Sequence, residues 1–272
     1  MANRETPSSD NSKRRELGIP VRAVTRAFDV LQAINRLQSP TMMEIALECG
    51  LAYPTAFRMV TTLQHDGWIE AEPGRKRYRP TERVWSLVSG FQTQDLLVAC
   101  ARDHIVSLTS SVLWPVTISV RVGSWMMVKD STHTMTSQTF ANYYPGYTLP
   151  ITDCAAGKVY LAFCPEDERQ LFLEAMKVNP DPQVRWAFQI FSDPKFLRKI
   201  RDQGYASHAR LTHTDNPGKT SAIAVPVFAG EDLEASLALV YFDKAMSEKE
   251  AVAKYLDPLQ GTAKKIMDDM NM

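Results

Sequence analysis

The chain has 272 residues, of which 44% are hydrophobic, and its 31 basic and 31 acidic side chains leave no net formal charge. This length exceeds what one core usually organises, so it predicts two domains. No apolar run reaches the roughly 20 residues that span a bilayer, and the polar first 20 residues lack the apolar region of a signal peptide. We therefore expect a cytoplasmic protein without a membrane partner.

The charges are unevenly distributed along this neutral chain. Residues 1–84 carry 13 Lys and Arg against 10 Asp and Glu, whereas the remainder carries 18 against 21. The mild basic excess favours a polyanion as the partner of the N-terminal part. The four cysteines have neither the paired spacing of a zinc site nor the density of a disulfide scaffold, so we expect reduced thiols and no metal.

The first predicted helix extends from Val21 to Leu37 and stops at Ser39 and Pro40. Its apolar residues recur at intervals of three and four, which is the spacing of an inward helix face. These positions are Val24, Ala27, Phe28, Leu31, Ile34 and Leu37.

Two shorter helices follow. Thr41 and Glu44 form the pattern of a capping box, and Gly50 is typical of the residue after a helix end. Pro54 suits the first turn of a third helix, which Asp66 and Gly67 end. Its predicted inward face consists of Ala56, Met59, Val60 and Leu63. Three short helices with a tight glycine turn predict a helix-turn-helix.

A hairpin is predicted directly after the third helix. Residues 68–71 and 77–80 alternate like strands, and residues 72–76 form the turn between them. Basic side chains cluster at its tip: Arg75, Lys76, Arg77 and Arg79. A solvated hairpin is the ordinary interpretation, but its place after a helix-turn-helix favours a DNA-contacting wing.

The pattern changes again after residue 81. Residues 82–108 predict one or two connecting helices, and strands are predicted at 116–122 and 125–129 around Gly123-Ser124. Further predicted elements are helices at 155–163, 165–176, 193–203 and 247–268, and strands at 222–228 and 235–242. The order of these elements predicts an α+β domain rather than a doubly wound sheet.

Two long segments resemble the IclR family of transcriptional regulators. One is Gly50 to Ile69, and the other is Leu149-Pro150-Ile151-Thr152-Asp153-Cys154-Ala155-Ala156-Gly157-Lys158 with Leu161-Ala162-Phe163. Gly204-Tyr205 and Ile223-Ala224-Val225-Pro226-Val227 extend the match toward the C-terminus. Within the family, the runs at 114–115, 132–133, 163–166 and 239–241 most resemble activators of aromatic-acid catabolism, of the 3-hydroxyphenylpropionate type.

The resemblance implies a fold and a domain order. The fold is α+β, with an N-terminal winged helix-turn-helix and a C-terminal GAF/PAS-like antiparallel-sheet effector domain. We expect a disordered arm at 1–20, the DNA-binding domain at 21–81, linker helices at 82–108 and the effector domain at 109–272. A homodimer or homotetramer is expected, because one small unit offers little interface for specific DNA binding.

In such a fold the third helix enters the major groove of double-stranded promoter DNA. The expected DNA contacts on it are Tyr53, Thr55, Phe57, Arg58, Thr61 and Thr62, joined by Arg75, Lys76 and Arg77 of the wing. Hydroxyl groups would bind phosphates, Arg58 would bind phosphate or guanine, and Phe57 would touch a thymine methyl. For Arg58 a salt bridge within the domain is the alternative.

The resemblance also implies an effector site at the start of the helix after Cys154. Small acids are held in the family by main-chain donors, which correspond to Ala155 and Ala156, and helix amides suit a carboxylate. The alternative is a helix that needs small residues for close packing. Two serines that the glyoxylate-sensing branch of the family uses on its last strand correspond to Leu239 and Tyr241 here, and its cysteine corresponds to Ala222. We therefore expect a less polar pocket.

An aromatic carboxylate fits that expectation. Trp114 and Tyr241 would stack on its ring, and His133, His208 or Arg210 would bind its polar groups. The predicted function is an activator of an aromatic-acid catabolic operon, with RNA polymerase as a further candidate partner. The alternative is a repressor of this family that senses a small aliphatic oxo acid.

Two other classes compete with a regulator. An enzyme is not expected, because the chain lacks the glycine-rich nucleotide, nucleophile-elbow and zinc-protease motifs, and no cofactor is implied. An enzymatic C-terminal domain taken alone stays open, and turnover of aromatic acids would reveal it. A structural DNA binder without a ligand also stays open, and a small molecule that raises the melting temperature would argue against it.

Overall fold

The computed structural model describes residues 21–37, 39–88, 95–138, 143–179, 182–209 and 220–271. Arg210 therefore lies outside the described residues. The chain divides into two compact units, Met1–Gln92 and Thr93–Met272. Each unit has its own hydrophobic core, and each is considered by itself below.

The first unit contains three helices and a small hairpin. Its elements are α1 (Arg22–Leu37), α2 (Met42–Glu48), α3 (Tyr53–His65), β1 (Ile69–Ala71), β2 (Tyr78–Pro80), a 3-10 turn at Glu82–Val84 and α4 (Trp85–Val88). The strands β1 and β2 pair antiparallel. This order is that of a winged helix-turn-helix, as the sequence predicts.

Local sequence signals explain where α2 begins and ends. The Thr41 Oγ1 accepts a hydrogen bond from the Glu44 amide at 3.3 Å, and the Thr41 amide donates to Glu44 Oε2 at 2.7 Å. The predicted capping box is therefore present. At the other end, Gly50 has φ +59°, a left-handed conformation that glycine adopts without strain.

The core of the first unit confirms one predicted helix face and corrects another. On α3, the side chains of Ala56, Val60 and Leu63 are buried, as expected. On α1 the buried side chains are Val30, Ala33 and Ile34. The predicted positions Val24 and Phe28 are instead 53% and 56% exposed, because the buried side chains, packed by α2, α3 and β2, all lie in the later part of α1.

The second unit is a six-stranded antiparallel sheet with helices on both faces. Its elements are α5 (Leu96–Val112), β3 (Val116–Val122), β4 (Trp125–Ser131), β5 (Thr148–Pro150), α6 (Ala155–Phe163), α7 (Glu166–Lys177), α8 (Pro182–Phe191), α9 (Pro194–Gln203), β6 (Ala206–Ala209), β7 (Thr220–Ala229), β8 (Asp232–Phe242) and α10 (Glu248–Met270). The strand order is β5-β4-β3-β8-β7-β6. The α+β class with an antiparallel sheet is thus confirmed, whereas β5, β6 and α8 are additions to the predicted elements.

Helix α5 belongs to the core of the second unit. It packs against α10 and β3, and it buries Leu97, Ala101 and Ile105. The sequence predicts linker helices at 82–108, and residues 96–108 of that range lie in α5. The packing instead favours a boundary near residue 93.

The two faces of the sheet are covered by different helices. Side chains of neighbouring strand residues point to opposite faces. One core lies between the sheet and the helices α5 and α10, and the other lies between the sheet and α6 to α9. Among the helices that the structure describes, none is both long and apolar enough to cross a membrane.

Candidate functional site

The exposed face of α3 carries the predicted DNA contacts. Tyr53, Phe57, Arg58, Thr61 and Thr62 are exposed there, and Thr55 is half-buried. The rings of Tyr53 and Phe57 are stacked one turn apart, with centroids 6.5 Å apart and an angle of 16° between the planes. This face of α3 therefore presents a flat aromatic surface beside hydroxyl and guanidinium groups.

Arg58 is available for an external partner. It forms no salt bridge with any residue that the structure describes, so the alternative of an ion pair within the domain has no support there. Thr62 is more constrained, because its Oγ1 donates to the Arg58 carbonyl at 2.9 Å. Thr62 can still accept a hydrogen bond or offer its methyl group.

The basic tip of the wing contains fewer available charges than predicted. Arg75 and Lys76 are exposed in the turn, and Arg75 lies 3.9 Å from Glu72 Oε2. Arg77 has a different role, because its Nη1 donates to the Ser39 carbonyl at 2.7 Å and lies 3.5 Å from Glu44 Oε2. Arg77 is therefore less available for DNA than Arg75 and Lys76, because its side chain holds the wing against the start of α2.

A cavity lies between the sheet of the second unit and the first turn of α6. The described residues that line it are Thr117, Ser119, Val128, Tyr143, Leu149, Cys154, Ala155, Ala156, His208, Thr220, Ser221, Ala222, Ala238 and Val240. Its free space is about 30 Å³. That volume holds one or two water molecules, so an organic acid requires the wall to move.

The start of α6 supplies hydrogen-bond donors to this cavity. Cys154 is the N-cap, and its Sγ accepts from the Gly157 amide at 3.3 Å. The amides of Ala155 and Ala156, in the first helical turn, have no acceptor within the helix. With the positive end of the helix dipole they form a suitable site for a carboxylate.

The start of α6 also needs small residues for close packing. The alternative interpretation given above, small residues that serve packing, therefore applies to this helix start as well. A Cβ on Gly157 would lie 1.8 Å from the Ile151 carbonyl oxygen. Ser236 Oγ donates to the Ala156 carbonyl at 3.0 Å and ties α6 to β8. The helix start is thus fixed in place, and its amides are fixed with it.

Polar side chains complete the cavity wall. Thr117 and Ser119 of β3 face it, and the hydroxyls of Tyr143 and Thr220 lie 3.2 Å apart. His208 Nε2 lies 3.0 Å from Asp153 Oδ1. Tyr143 is not among the residues predicted from the sequence, although the aromatic run Tyr143-Tyr144 with Tyr147 is a visible signal.

Three predicted effector residues lie on the other face of the sheet. Trp114, Leu239 and Tyr241 belong to the core under α5 and α10. The Trp114 ring meets the Tyr241 ring edge-on at 6.4 Å, and its Nε1 donates to Tyr255 Oη at 3.2 Å. Burial raises the pKa of the Tyr241 phenol to about 12.

The reason for this correction is a shift of one residue on β8. The side chains of Ala238 and Val240 face the cavity, while Leu239 and Tyr241 face away. A shift by one position moves every side chain of a strand to the opposite face. The prediction that Leu239 and Tyr241 line the cavity is therefore wrong.

The predicted histidines occupy different environments. His208 lines the cavity, as Ala155, Ala156 and Ala222 do. His133 is half-buried in the 3-10 turn His133–Met135, apart from the cavity lining, and burial lowers its pKa. Among the described residues, no group of three or more His, Cys, Asp or Glu side chains could hold a metal ion.

Comparisons with known proteins agree with both units. The IclR helix-turn-helix domain matches residues 23–73, and the bacterial transcriptional regulator IclR C-terminal domain matches residues 93–268. The chain is 22% identical over 225 residues to the DNA-binding transcriptional repressor YiaJ of Escherichia coli (strain K12), covering 81% of this chain and 77% of YiaJ. It is 23% identical over 258 residues to the HTH-type transcriptional regulator KdgR of the same strain, covering 92% and 93%.

Solved structures show the same fold. An IclR family transcriptional regulator from Brucella abortus has a TM-score of 0.67 and 19% identity, with 96% of each chain covered. An IclR homolog from Microbacterium hydrocarbonoxydans, complexed with 4-hydroxybenzoate, has a TM-score of 0.61 and 18% identity, covering 91% of this chain and 98% of the other. With both domain matches in order along the chain, this protein belongs to the IclR family of DNA-binding transcriptional regulators.

Proposed function

We propose that this regulator docks on double-stranded promoter DNA through the exposed face of α3 and the tip of the wing. The observation that carries the proposal is the orientation of α3, whose Ala56, Val60 and Leu63 are buried while Arg58 on another face is exposed without an ion pair to a described residue. A helix held in this way can enter the major groove.

The proposed contacts differ in kind. Arg58 binds guanine or phosphate, and Arg75 and Lys76 bind phosphates beside the groove. The hydroxyls of Thr55, Thr61 and Thr62 bind phosphate or base edges, and the stacked Tyr53 and Phe57 meet thymine methyl or sugar groups. Arg77 acts by holding the wing in position.

The test is DNA binding at several salt concentrations, with an operator selected from a pool of randomised duplexes. We expect Arg58→Ala and the double variant Arg75→Ala/Lys76→Ala to weaken binding, and to reduce the salt slope by about one unit for each phosphate that loses its cationic partner. Arg198→Ala, an exposed change on α9, is the matched control. Unaltered affinity and slope in both wing and helix variants would contradict this docking face.

We also propose that the regulator acts as a homodimer or homotetramer. The exposed apolar side chains of Val21, Val24 and Phe28 on α1 support a contact with a second copy. Sedimentation with and without operator tests this, and Phe28→Asp should lower the mass of the assembly. Leu47→Asp on α2 is the control, because Leu47 is also an exposed apolar residue. A monomer that binds one half-site with full affinity would contradict the proposal.

For the second unit we propose an aromatic carboxylate as effector, and activation of an aromatic-acid catabolic operon together with RNA polymerase. The carboxylate would lie on the amides of Ala155 and Ala156, with His208 and Ala222 in the wall. Tyr143 replaces Tyr241 as the aromatic side chain beside the ring. Arg210 stays a sequence-based candidate.

A second candidate is a repressor that responds to a small aliphatic oxo acid. Two observations favour it: the free space of about 30 Å³ and the hydroxyl groups in the cavity wall. The relative YiaJ is named a repressor. Transcription in vitro from the selected operator, with and without the acid, separates activation from repression.

The effector class is tested by thermal unfolding of the full chain with benzoate, 4-hydroxybenzoate, glyoxylate and pyruvate. A ligand at 100 times its Kd stabilises by about 2.7 kcal/mol. We expect Ala156→Leu to remove this stabilisation, because a bulky side chain covers the amides, whereas Ala253→Leu on the exposed side of α10 should keep it. If glyoxylate or pyruvate stabilises more than either aromatic acid, the second candidate is the correct one.

A further inference from the structure

The C-terminal end of α6 is held by two arginines from neighbouring helices. Arg169 Nη1 of α7 donates to the carbonyls of Leu161 and Cys164, at 3.5 and 3.3 Å. Arg201 Nε of α9 donates to the Ala162 carbonyl. Carbonyls at a helix end have no partner within the helix. Two guanidinium groups therefore serve as the cap of α6.

A helix end can be capped at a lower cost than this. Arg169 is 5% exposed, and burial together with the nearby charge of Arg201 lowers its pKa. Buried charges and close like charges both oppose folding. Helix α9 ends instead at Gly204, whose left-handed backbone lets its amide donate to the Ile200 carbonyl at 3.0 Å. The cations at the end of α6 thus indicate a role beyond hydrogen bonding.

Acidic neighbours do not neutralise the two guanidiniums fully. Arg169 is paired with Glu166, but its side chain is 6% exposed whereas that of Glu166 is 64% exposed. Solvent screens an exposed carboxylate more strongly than a buried guanidinium. Glu168 is paired with Arg121, and Arg201 forms no salt bridge with any residue in the described ranges. The end of α6 therefore lies in a positive environment.

Charge at the end of α6 acts on its beginning because the helix is short. Its 9 residues span about 14 Å. The dipole of a helix places about half a positive charge at the first turn and about half a negative charge at the last. In a short helix the negative end opposes an anion at the first turn, and guanidiniums at that end cancel the opposition. The potential at the amides of Ala155 and Ala156 thereby becomes more positive.

We propose that Arg169 and Arg201 determine the preference of the α6 cavity for anions from the opposite end of the helix, an inference that rests on the proposed effector function. They are positioning residues, because they act through α6 rather than by contact with an acid. Their hydrogen bonds hold the helix, and their charges strengthen the attraction of its first turn for a carboxylate. The cavity accordingly selects a carboxylate over the uncharged amide of the same shape.

The first test needs no effector. The thiol of Cys154 lines the cavity at the start of α6, so its reactivity reports the local potential. Iodoacetate and iodoacetamide both alkylate a thiol with loss of iodide, and they have the same shape but differ in charge. We expect Arg169→Met and Arg201→Met each to lower the ratio of the iodoacetate rate to the iodoacetamide rate at Cys154 by about threefold at low ionic strength. Peptide mass spectrometry resolves the rates, and burial cancels in the ratio because it slows both reagents.

Matched variants separate charge from structure in this test. Arg201→Lys keeps the charge but alters the hydrogen-bond geometry, so it should keep the wild-type ratio. Arg198→Met removes an arginine from the exposed face of the same helix and should also keep it, with Cys49 of the first unit as the internal reference. Arg201 is more exposed than Arg169, so Arg201→Met serves as the test if Arg169→Met fails to fold. A wild-type ratio in Arg201→Met, or an equal loss in Arg201→Lys, overturns the proposal.

The second test measures acid binding by calorimetry on the full chain, with benzoate, 4-hydroxybenzoate, glyoxylate and pyruvate. We expect Arg201→Met to weaken the binding of the acid with the lowest Kd about threefold at low ionic strength. Arg201→Lys and Arg198→Met should keep the wild-type Kd. An unaltered Kd in Arg201→Met overturns the proposal.

The two tests separate this inference from the proposed function. If none of the four acids binds the wild type and the ratio at Cys154 still falls, the effector proposal fails and the electrostatic role of the arginines is supported. If an acid binds and Arg201→Met alters neither its Kd nor the ratio, the effector proposal stands and the role of the arginines fails.

Discussion

The two faces of the six-stranded sheet share one backbone and differ in how completely their side chains fill the space beneath the helices. Under α5 and α10, large apolar side chains such as Ile118, Leu237, Leu239 and Leu259 fill the space with almost no exposure. Under α6, the strands present Ala222, Ala238 and several hydroxyl groups instead. The face under α5 and α10 is closely packed, whereas the face under α6 is packed less completely and leaves a cavity.

The helices above the two faces reflect the same division. Helix α10 extends over 23 residues and begins with a capping box of Ser247 and Glu250. Helix α6 has 9 residues, begins with the thiol of Cys154 as its cap, and leaves the next two amides without helical partners. Four predictions sharpen this contrast, in order of decreasing effect.

Glycine to alanine should have opposite effects in the two helices. In α6, Gly157→Ala places a Cβ 1.8 Å from the Ile151 carbonyl oxygen, so we expect a loss of about 4 kcal/mol in the free energy of unfolding. In α10, Gly261 has nothing within 4 Å of its added Cβ. Gly261→Ala should therefore stabilise by about 0.5–1 kcal/mol. Urea unfolding measures the free energy of unfolding of both variants. An unchanged value for Gly157→Ala would contradict the close contact between α6 and the Ile151 carbonyl.

Truncation of neighbouring β8 residues compares the two faces directly. Leu239→Ala should cost about 3 kcal/mol, because Leu239 is fully buried in the closed core. Val240→Ala should cost about half as much, since fewer methyl groups are removed beside space that is already open. Equal losses in urea unfolding would mean that the cavity face is packed as tightly as the other.

Ser236→Ala tests how firmly α6 is attached to the sheet. Ser236 is fully buried, and its removal leaves the Ala156 carbonyl without this donor. We expect a loss of about 1.5 kcal/mol, together with faster hydrogen exchange in α6 than in α10. Uniform exchange in the two helices would argue against a local role for this bond.

Tyr241→Phe should change the alkaline limit of stability. Burial raises the pKa of Tyr241 to about 12, so the folded state favours the neutral phenol. The unfolded phenol ionises near pH 10, and stability is therefore lost as the pH rises from about 10 toward 12. Tyr241→Phe should therefore reduce this fall. Urea unfolding of both proteins from about pH 9 to pH 12 measures the difference. An equal fall in the wild type and the variant would contradict the burial of this phenol.

Elements with local signals could be predicted from the sequence. Helix α6 occupies the predicted residues 155–163, and the capping boxes at Thr41 and Ser247 are both present. Such signals act over three or four residues, so they do not depend on the rest of the fold. Short edge strands such as β5 and β6 lack this information, because three or four residues carry too little periodicity.

The face of β8 could not be predicted for a physical reason. Residues 237–242 are apolar without interruption, because this central strand is buried on both faces. A strand of this kind has no polar alternation that marks which side chains point where. The aromatic run that contains Tyr143 is visible in the sequence, but its place in the cavity wall depends on how a connection between strands folds over the sheet.

The contact of Arg77 with the body of the first unit has a consequence for sequence recognition. Its hydrogen bond to the Ser39 carbonyl, the bond from the Tyr78 amide to the Pro40 carbonyl and the bridge between Thr41 and Arg77 set the wing beside α2 before DNA arrives. The distance from α3 to the wing tip is then constant, so a duplex must supply a groove of matching width. Groove width depends on base sequence. We therefore expect a restrained wing to discriminate between operators at base pairs that no side chain touches.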